Sequence, residues 1–171
     1  MALQFRADTE PGKVLYRWLA EFDEDEKGKQ SKKGDRAALR RCHEPLEALF
    51  VPAYHDLYHE LLRQDDYVDS VKLPAIAALT AHVKQVRGDK QFAQQMAAPK
   101  AQGGNAPQVS ELRFRRLLQC ETVDELFPAL RRVVHLLDGS VNLYNLANSV
   151  YWWGDQKRRE WAYAYYGDLQ A

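Results

Sequence analysis

The chain has 171 residues, of which 46% are hydrophobic, and its 24 basic and 24 acidic residues give a net charge of zero. This size predicts one domain or two subdomains sharing a core, and no apolar run reaches the roughly 20 residues that cross a bilayer. The two cysteines, Cys42 and Cys120, form no CxxC motif. The sequence therefore excludes a disulfide framework and predicts a cytoplasmic protein without membrane contact.

Basic and acidic residues are gathered in alternating blocks. Residues 27–41 contain seven bases and one acid, and residues 71–118 contain eight bases and two acids. Between them, residues 42–70 contain one base and seven acids. Such blocks indicate a polyanionic partner or self-complementary docking between copies of the chain.

Helical periodicity dominates the first half of the chain. After Pro11, apolar residues at helical spacing predict a buried stripe of Val14, Leu15, Trp18, Leu19 and Phe22. A polar segment bounded by glycines, which includes Lys27 and Lys29, predicts a loop before the next helix. Asp35 is expected to cap that helix, and prolines mark the starts of two more, Pro52 and Pro74.

The second half begins after a segment that breaks the periodicity. Residues 87–109 contain two prolines and three glycines, which predicts a mobile segment between two helical halves. We therefore expect bundles at 1–90 and 110–171 and a flexible linker at 91–109. Further helix starts are predicted from Ser110, from a capping box of Thr122 with Glu125, and from Asn142. The sequence predicts an all-α protein of about eight helices in two small packed bundles.

Arginine pairs recur on the outward faces of these helices. Phe114, Leu117 and Leu118 form the buried face of one helix, which directs its three arginines outward. On the next helix Arg131, Arg132 and His135 lie opposite the apolar face. The arginine fork suits phosphate oxygens, so we predict phosphate contacts along these helices. The predicted contacts are Arg36, Arg40, Arg41, Arg113, Arg116, Arg131 and Arg132, with Lys90 and Lys100 clamping from the mobile segment.

The sequence contains little that indicates catalysis. His55 and His59 are four residues apart, a spacing at which both imidazoles reach one metal ion, but no further His or Cys has ligand spacing. No GxSxG, P-loop or GxGxxG motif is present. We predict neither an enzyme nor a cofactor or metal site, and a hydrolase using the two histidines stays an alternative.

Aromatic residues concentrate in the stretch 151–166, which holds three of the four tryptophans. Exposed aromatic side chains stack on nucleic-acid bases. Here, however, the spacing of Trp153, Trp161 and Tyr165 predicts packing between the last two helices. We therefore assign this stretch to the core and leave it out of the predicted site.

Four motifs, occurring in this order, resemble one protein family. They are RAALRRC, SELRFRRLL, LRRVVHLL and YWWGDQKRREWAYAYY, and the resemblance covers about residues 14–166. They are similar to the CasB family, the small subunit of the type I-E CRISPR surveillance complex Cascade. The resemblance implies an all-helical, non-catalytic protein, two copies of which pack head to tail. It also implies contacts with the subunits that carry the guide RNA, and stabilisation of the R-loop by holding the target and displaced DNA strands.

The resemblance adds residues to the predicted nucleic-acid site. Basic positions of the family motifs match Arg41, Arg116, Arg132 and Arg158, and family members often have a base at the positions of Lys72, Lys90 and Lys100. Asp155 departs from the pattern, because some members have a base there. The predicted partners are both DNA strands, the guide-bearing backbone and large subunits, and a second copy, with acidic residues 42–70 suited to docking on basic subunits. A module that docks only to other proteins is the alternative.

Overall fold

The structure, a computed structural model, describes residues 3–24 and 32–170, so Lys27 and Lys29 of the predicted loop lie outside the described residues. Helices make up 63% of the protein and strands 4%, which confirms the all-α prediction. The helices within the described ranges are α1 (Glu10–Ala20), α2 (Lys33–Arg40), α3 (Pro52–Leu62), α4 (Lys72–Thr80), α5 (Phe92–Ala97), α6 (Glu111–Gln119), α7 (Val123–Leu136), α8 (Leu143–Tyr151) and α9 (Asp155–Leu169). None of them is both long and apolar enough to cross a bilayer.

The chain divides into two compact units, Met1–Ala81 and His82–Ala171. In the first unit, α1 starts at the Thr9 cap, whose hydroxyl accepts a hydrogen bond from the Gly12 amide at 3.3 Å. A β-carbon at Gly12 would lie 1.7 Å from the carbonyl oxygen of Arg6, so only glycine fits this turn. The predicted apolar stripe is buried, and the Trp18 indole donates to the carbonyl of Ala53 at 2.8 Å. α1 is thereby fixed against α3.

Asp35 does not cap its own helix, as the sequence predicted. α2 begins two residues earlier, at Lys33, and the Asp35 carboxylate accepts a hydrogen bond from the Ala53 amide at 3.0 Å. That amide is in the first turn of α3, which starts at Pro52 and whose flanking residue Val51 has no side-chain acceptor. The acid therefore caps the helix that lacks a cap of its own.

α4 forms the centre of the first unit. Every residue from Leu73 to Thr80 is buried, and a short 3₁₀ helix, Pro45–Phe50, packs against it. A helix that is apolar on all sides is stable only when neighbours cover all of it. Burial also raises the pKa of the Tyr54 hydroxyl, which belongs to α3 beside it.

The segment predicted as a flexible linker, 91–109, contains a helix. α5 occupies Phe92–Ala97 and packs against α9, with Phe92 and Met96 fully buried. The Phe92 amide donates to the Asn145 side chain at 2.9 Å. Two apolar side chains one turn apart dock this short helix, and the segment belongs to the second unit, which begins at His82.

Two short strands pair within the second unit, one of them close to its first residue. β1 (Gln85–Val86) pairs in parallel with β2 (Ser140–Val141), and the Lys84 amide donates to the carbonyl of Gly139 at 2.8 Å. Gly139 has a φ of +71°, and a β-carbon there would lie 3.0 Å from the carbonyl of His82. Glycine permits both this conformation and this close approach.

Aromatic packing around α9 confirms the core assignment of Trp153, Trp161 and Tyr165, all of which are buried. The Tyr165 ring stacks on Phe114 at 3.9 Å between ring centres, and its hydroxyl donates to the Val109 carbonyl at 2.7 Å. Burial raises the pKa of Tyr165 to about 12. The predicted caps Ser110, Thr122 and Asn142 each accept a backbone hydrogen bond at a helix start.

Candidate nucleic-acid interface

Two of the predicted phosphate contacts, Arg36 and Arg40, are engaged within the first unit. Their Nε atoms donate to the same acceptor, the carbonyl oxygen of Ala81, at 3.1 and 2.7 Å. Arg36 also pairs with Asp23 at 2.8 Å, its side chain is 11% exposed, and its guanidinium lies over the Phe22 ring. Burial, together with the charge of Arg36, lowers the pKa of Arg40. These two arginines therefore bind the carboxyl end of α4, a structural role that the sequence did not predict.

The neighbouring bases of this unit differ from that pair. Arg41 directly follows α2, is exposed, and forms no ion pair with a described residue. Lys72 is half-buried at the start of α4, where its backbone amide donates to the Asp69 carboxylate at 3.0 Å. In the first unit, Arg41 is thus the predicted arginine that is open to a ligand.

The three arginines of α6 lie on two flanks of that helix. Arg115 pairs with Glu111, one turn earlier, at 2.6 Å, and Glu111 also accepts a hydrogen bond from the Tyr166 hydroxyl of α9 at 3.1 Å. The hydrogen bonds from Arg115 and Tyr166 lower the pKa of Glu111. Arg113 and Arg116, one turn apart on the other flank, are exposed and pair with no carboxylate in the described ranges. This flank carries two uncompensated positive charges.

On α7 the structure separates the neighbours Arg131 and Arg132. The apolar face is buried as predicted, and Arg131 is half-buried with its guanidinium 6.0 Å from the centre of the Phe127 ring. Arg132 is exposed and has no ion pair within residues 3–24 and 32–170. His135 is exposed, and its ring packs edge-on against the ring of His82, with 5.0 Å between the ring centres. Arg132 is therefore the open position of this pair.

A similar division separates Arg158 and Arg159 on α9. Arg158 pairs with Asp155 and donates to the carbonyl of Leu118 at 3.3 Å, which ties α9 to the end of α6. Arg159 is exposed. Together with Leu118, Asp155, Arg158 and Ala162 it lines a depression of about 460 Å³. Arg158 is a predicted nucleic-acid contact and Arg159 is not, although helical spacing places the two on different faces and leaves Arg159 in solvent.

The two predicted lysines of the segment 87–109 also have different environments. The ammonium group of Lys90 pairs with Asp168 of α9 at 3.2 Å. Lys100 is exposed in the turn before residue 107, and its backbone amide donates to the Ala106 carbonyl at 3.0 Å. Lys90 therefore has a contact that fixes it within the second unit, whereas the side chain of Lys100 extends into solvent.

The histidine pair does not form a metal centre in the structure. His55 and His59 are exposed on α3, and the Nε2 atom of His55 lies 2.8 Å from the carbonyl oxygen of Leu49. Within the part of the chain that the structure describes, no group of three or more His, Cys, Asp or Glu residues is placed to hold a metal. Among the described residues, His55 and His59 therefore have no third side chain with which to hold a catalytic metal ion.

Comparisons with known proteins agree with this arrangement of helices. The family model of CRISPR-associated protein Cse2 matches residues 35–166. A comparison with curated protein sequences finds no significant match. Among solved structures, the fold is similar to a chain in the crystal structure of E. coli Cascade bound to a PAM-containing double-stranded DNA target, with a TM-score of 0.67 and 15% identity over 95% of this chain and 98% of that chain. The chain therefore belongs to the Cse2 family, the CasB small-subunit family of type I-E Cascade that its arginine-rich motifs resemble.

Proposed function

We propose that this protein is a non-catalytic subunit of a type I-E CRISPR interference complex and that it binds DNA strands without reading their sequence. Family membership supports the place in the complex. The carrying observation for DNA binding is the pair Arg113 and Arg116, two exposed guanidinium groups one turn apart that no described carboxylate neutralises. An unpaired guanidinium presents its full fork of donors to phosphate oxygens.

Four more exposed bases, chosen from the helices and the segment analysed above, extend this set, and we call these six residues the open bases. Each is free of an ion pair with a described residue, in contrast to Arg36, Lys90 and Arg158. The open bases are Arg41, Lys100, Arg113, Arg116, Arg132 and Arg159. Their number gives the protein a sequence-independent affinity for a polyanion, which depends strongly on salt.

In this proposal, the affinity for DNA strands stabilises the R-loop. The guide–target heteroduplex is about as stable as the DNA duplex that it replaces, so strand exchange is nearly balanced. A protein that binds the displaced strand, the target strand or both opposes re-annealing and shifts this balance toward the open state. The partners in this proposal are the two DNA strands, the guide-bearing backbone and large subunits, and a second copy of the chain.

The proposal is tested with Arg113→Glu combined with Arg116→Glu in the assembled complex. We expect weaker binding to an R-loop target, and a plot of log affinity against log salt that is shallower by about 1.4, since each phosphate contact with a single strand contributes about 0.7. The matched control is Lys84→Glu with Arg87→Glu, two exposed bases of the same unit that already pair with Asp138 and Asp89. Equal effects of the two double variants, or an unchanged slope, would contradict the proposal.

One observation favours the alternative of a module that docks only to proteins. Phe50 and Leu46, both on the 3₁₀ helix, are 82% and 60% exposed, and Glu44 and Glu47 lie close to them in the chain. If docking were the whole function, Phe50→Ser would reduce the amount of this subunit in the purified complex, and the charge reversals on α6 would leave DNA binding intact. Native mass spectrometry with a binding series separates the two outcomes.

A further inference from the structure

One aromatic residue of α9 is directed away from the core that its neighbours build. Tyr163 is 81% exposed, whereas Trp161 and Tyr165, two residues to either side, are buried. Arg159 lies one turn before Tyr163 on the same exposed face. Side chains of a helix lean toward its amino terminus, so the Tyr163 ring is directed toward the turn that carries Arg159 while staying exposed. An exposed ring and an exposed cation are therefore neighbours on this face.

The charge of Arg159 is available because the nearby carboxylates are occupied. Asp155, which is at helical spacing from both arginines, pairs with Arg158. Glu160 pairs with Lys157 at 2.9 Å and accepts a hydrogen bond from Gln156 at 3.2 Å. Arg159 itself forms no ion pair with a described residue, and it borders the depression of about 460 Å³ next to Leu118 and Ala162.

The surface around Tyr163 is open. One turn further on is Gly167, and no side chain outside its two chain neighbours lies within 4 Å of the place where its β-carbon would be. Of the other neighbours at helical spacing, Arg159 and Glu160 are charged and exposed, and Tyr166 is half-buried with its ring beside Phe114. Because the Tyr163 ring lies largely in solvent, a flat group can approach its face.

We propose that Arg159 and Tyr163 form a binding site for single-stranded nucleic acid, with Tyr163 stacking on a base and Arg159 binding a neighbouring phosphate. The inference rests on the proposed function and names a site within it. A stacking ring selects single strands because the bases of a duplex are already stacked on one another. Every base offers a flat face, so the site needs no particular sequence. The displaced strand of an R-loop has the required chemistry.

The test uses the full chain and a fluorescent oligothymidine single strand, with affinities measured across a salt series. Tyr163→Ala is expected to weaken binding about 5- to 150-fold without changing the salt slope, because stacking on an aromatic ring releases no counterions. Tyr163→Phe keeps the ring and should bind within about 2-fold of the parent. Arg159→Gln should make the slope shallower by about 0.7. Tyr16→Ala is the matched control, since Tyr16 is also an exposed tyrosine on a helix.

The outcomes separate this site from the proposed function. If Tyr163→Ala binds like the parent while the reversals of Arg113 and Arg116 weaken binding, the site on α9 is overturned and the proposed function stands. If Tyr163→Phe loses as much affinity as Tyr163→Ala, or Arg159→Gln leaves the slope unchanged, the assigned roles are wrong. If the parent chain shows no salt-dependent binding to the oligonucleotide, both the site and the proposed function fail.

Discussion

The helices α2 and α6 each carry two arginines about one turn apart but use them in opposite ways. On α2, Arg36 and Arg40 share the carbonyl oxygen of Ala81 and are drawn into the unit. On α6, Arg113 and Arg116 are three residues apart rather than four, and no described acid pairs with them. The residue type is the same and either spacing places both side chains on one flank, so the difference comes from what the fold places within reach.

This contrast shows which bases are available to a ligand. A helix leaves its last carbonyl groups without partners, and the end of α4 meets α2, where two guanidinium groups satisfy it. Among the described residues, no such group contacts the guanidinium groups of Arg113 and Arg116 on α6. An arginine used to complete the fold has less to offer a phosphate than one that the fold leaves in solvent.

The largest effect on stability is expected from Arg36→Ala combined with Arg40→Ala. Removing both donors leaves the Ala81 carbonyl and Asp23 without these partners, and we expect the free energy of unfolding to fall by roughly 3 kcal/mol. Urea denaturation measures the loss, and amide hydrogen exchange locates it in α4. The control, Arg113→Ala with Arg116→Ala, should cost less than about 0.5 kcal/mol. Equal losses would remove the distinction between the two helices.

A smaller effect is expected from Asp35→Ala on α2. The variant removes the acceptor for the Ala53 amide and should lower the free energy of unfolding by about 1 kcal/mol, the usual contribution of a helix cap. Asp56→Ala, at an exposed acid of α3, is the control and should leave the urea midpoint nearly unchanged. A midpoint for Asp35→Ala that matches the control would show that this cap is not needed.

The same distinction is sharpened on α7 by comparing Arg131 with Arg132. Arg131→Ala removes a half-buried side chain over the Phe127 ring and should cost about 0.5–1 kcal/mol of stability. Arg132→Ala should leave the urea midpoint unchanged and reduce the salt slope of DNA binding by about 0.7. If the two variants changed the urea midpoint and the salt slope equally, the assignment of Arg131 to the fold and Arg132 to the ligand would be wrong.

The smallest effect concerns the third arginine of α6. Hydrogen bonds from Arg115 and Tyr166 hold the pKa of Glu111 below its ordinary value of 4.5. A lowered pKa in the folded state stabilises the fold at pH values above the ordinary pKa of the carboxyl group. This contribution is lost as the pH falls through the lower pKa of the folded state. In a carbon-detected NMR titration, Arg115→Ala should raise the pKa of Glu111, whereas Arg113→Ala should leave it unchanged. An unchanged value in Arg115→Ala would show that the pair is absent in solution.

Periodicity predicts which way a side chain faces more reliably than what it contacts. The burial of Phe114 and Leu117 and the exposure of Arg113 and Arg116 follow from helical spacing and were predicted correctly. The contacts of Arg36 and Arg40 with Ala81 were missed because their partner is a backbone carbonyl 41–45 residues away. Since every residue has such a carbonyl, no residue type marks it in the sequence.

Two other differences have a physical cause that the sequence partly shows. The helix α5 was overlooked because glycines and prolines in the same segment outweighed the one-turn spacing of Phe92 and Met96. The exposure of Tyr163 was readable in the sequence, because a residue two positions from buried Trp161 and Tyr165 falls on the opposite face. Treating the aromatic stretch as a single core element concealed it.

The docking of α5 on α9 has a consequence for synthesis. The Phe92 ring packs against Trp161 at 5.6 Å between ring centres, although the two residues are 69 positions apart in the chain. At roughly 5–20 residues per second, Phe92 is synthesised about 3 to 14 s before Trp161. The second unit can finish folding only after α9 has been synthesised, whereas residues 1–81 have their whole core available much earlier. A nascent chain stalled in α9 should therefore expose an apolar surface to chaperones.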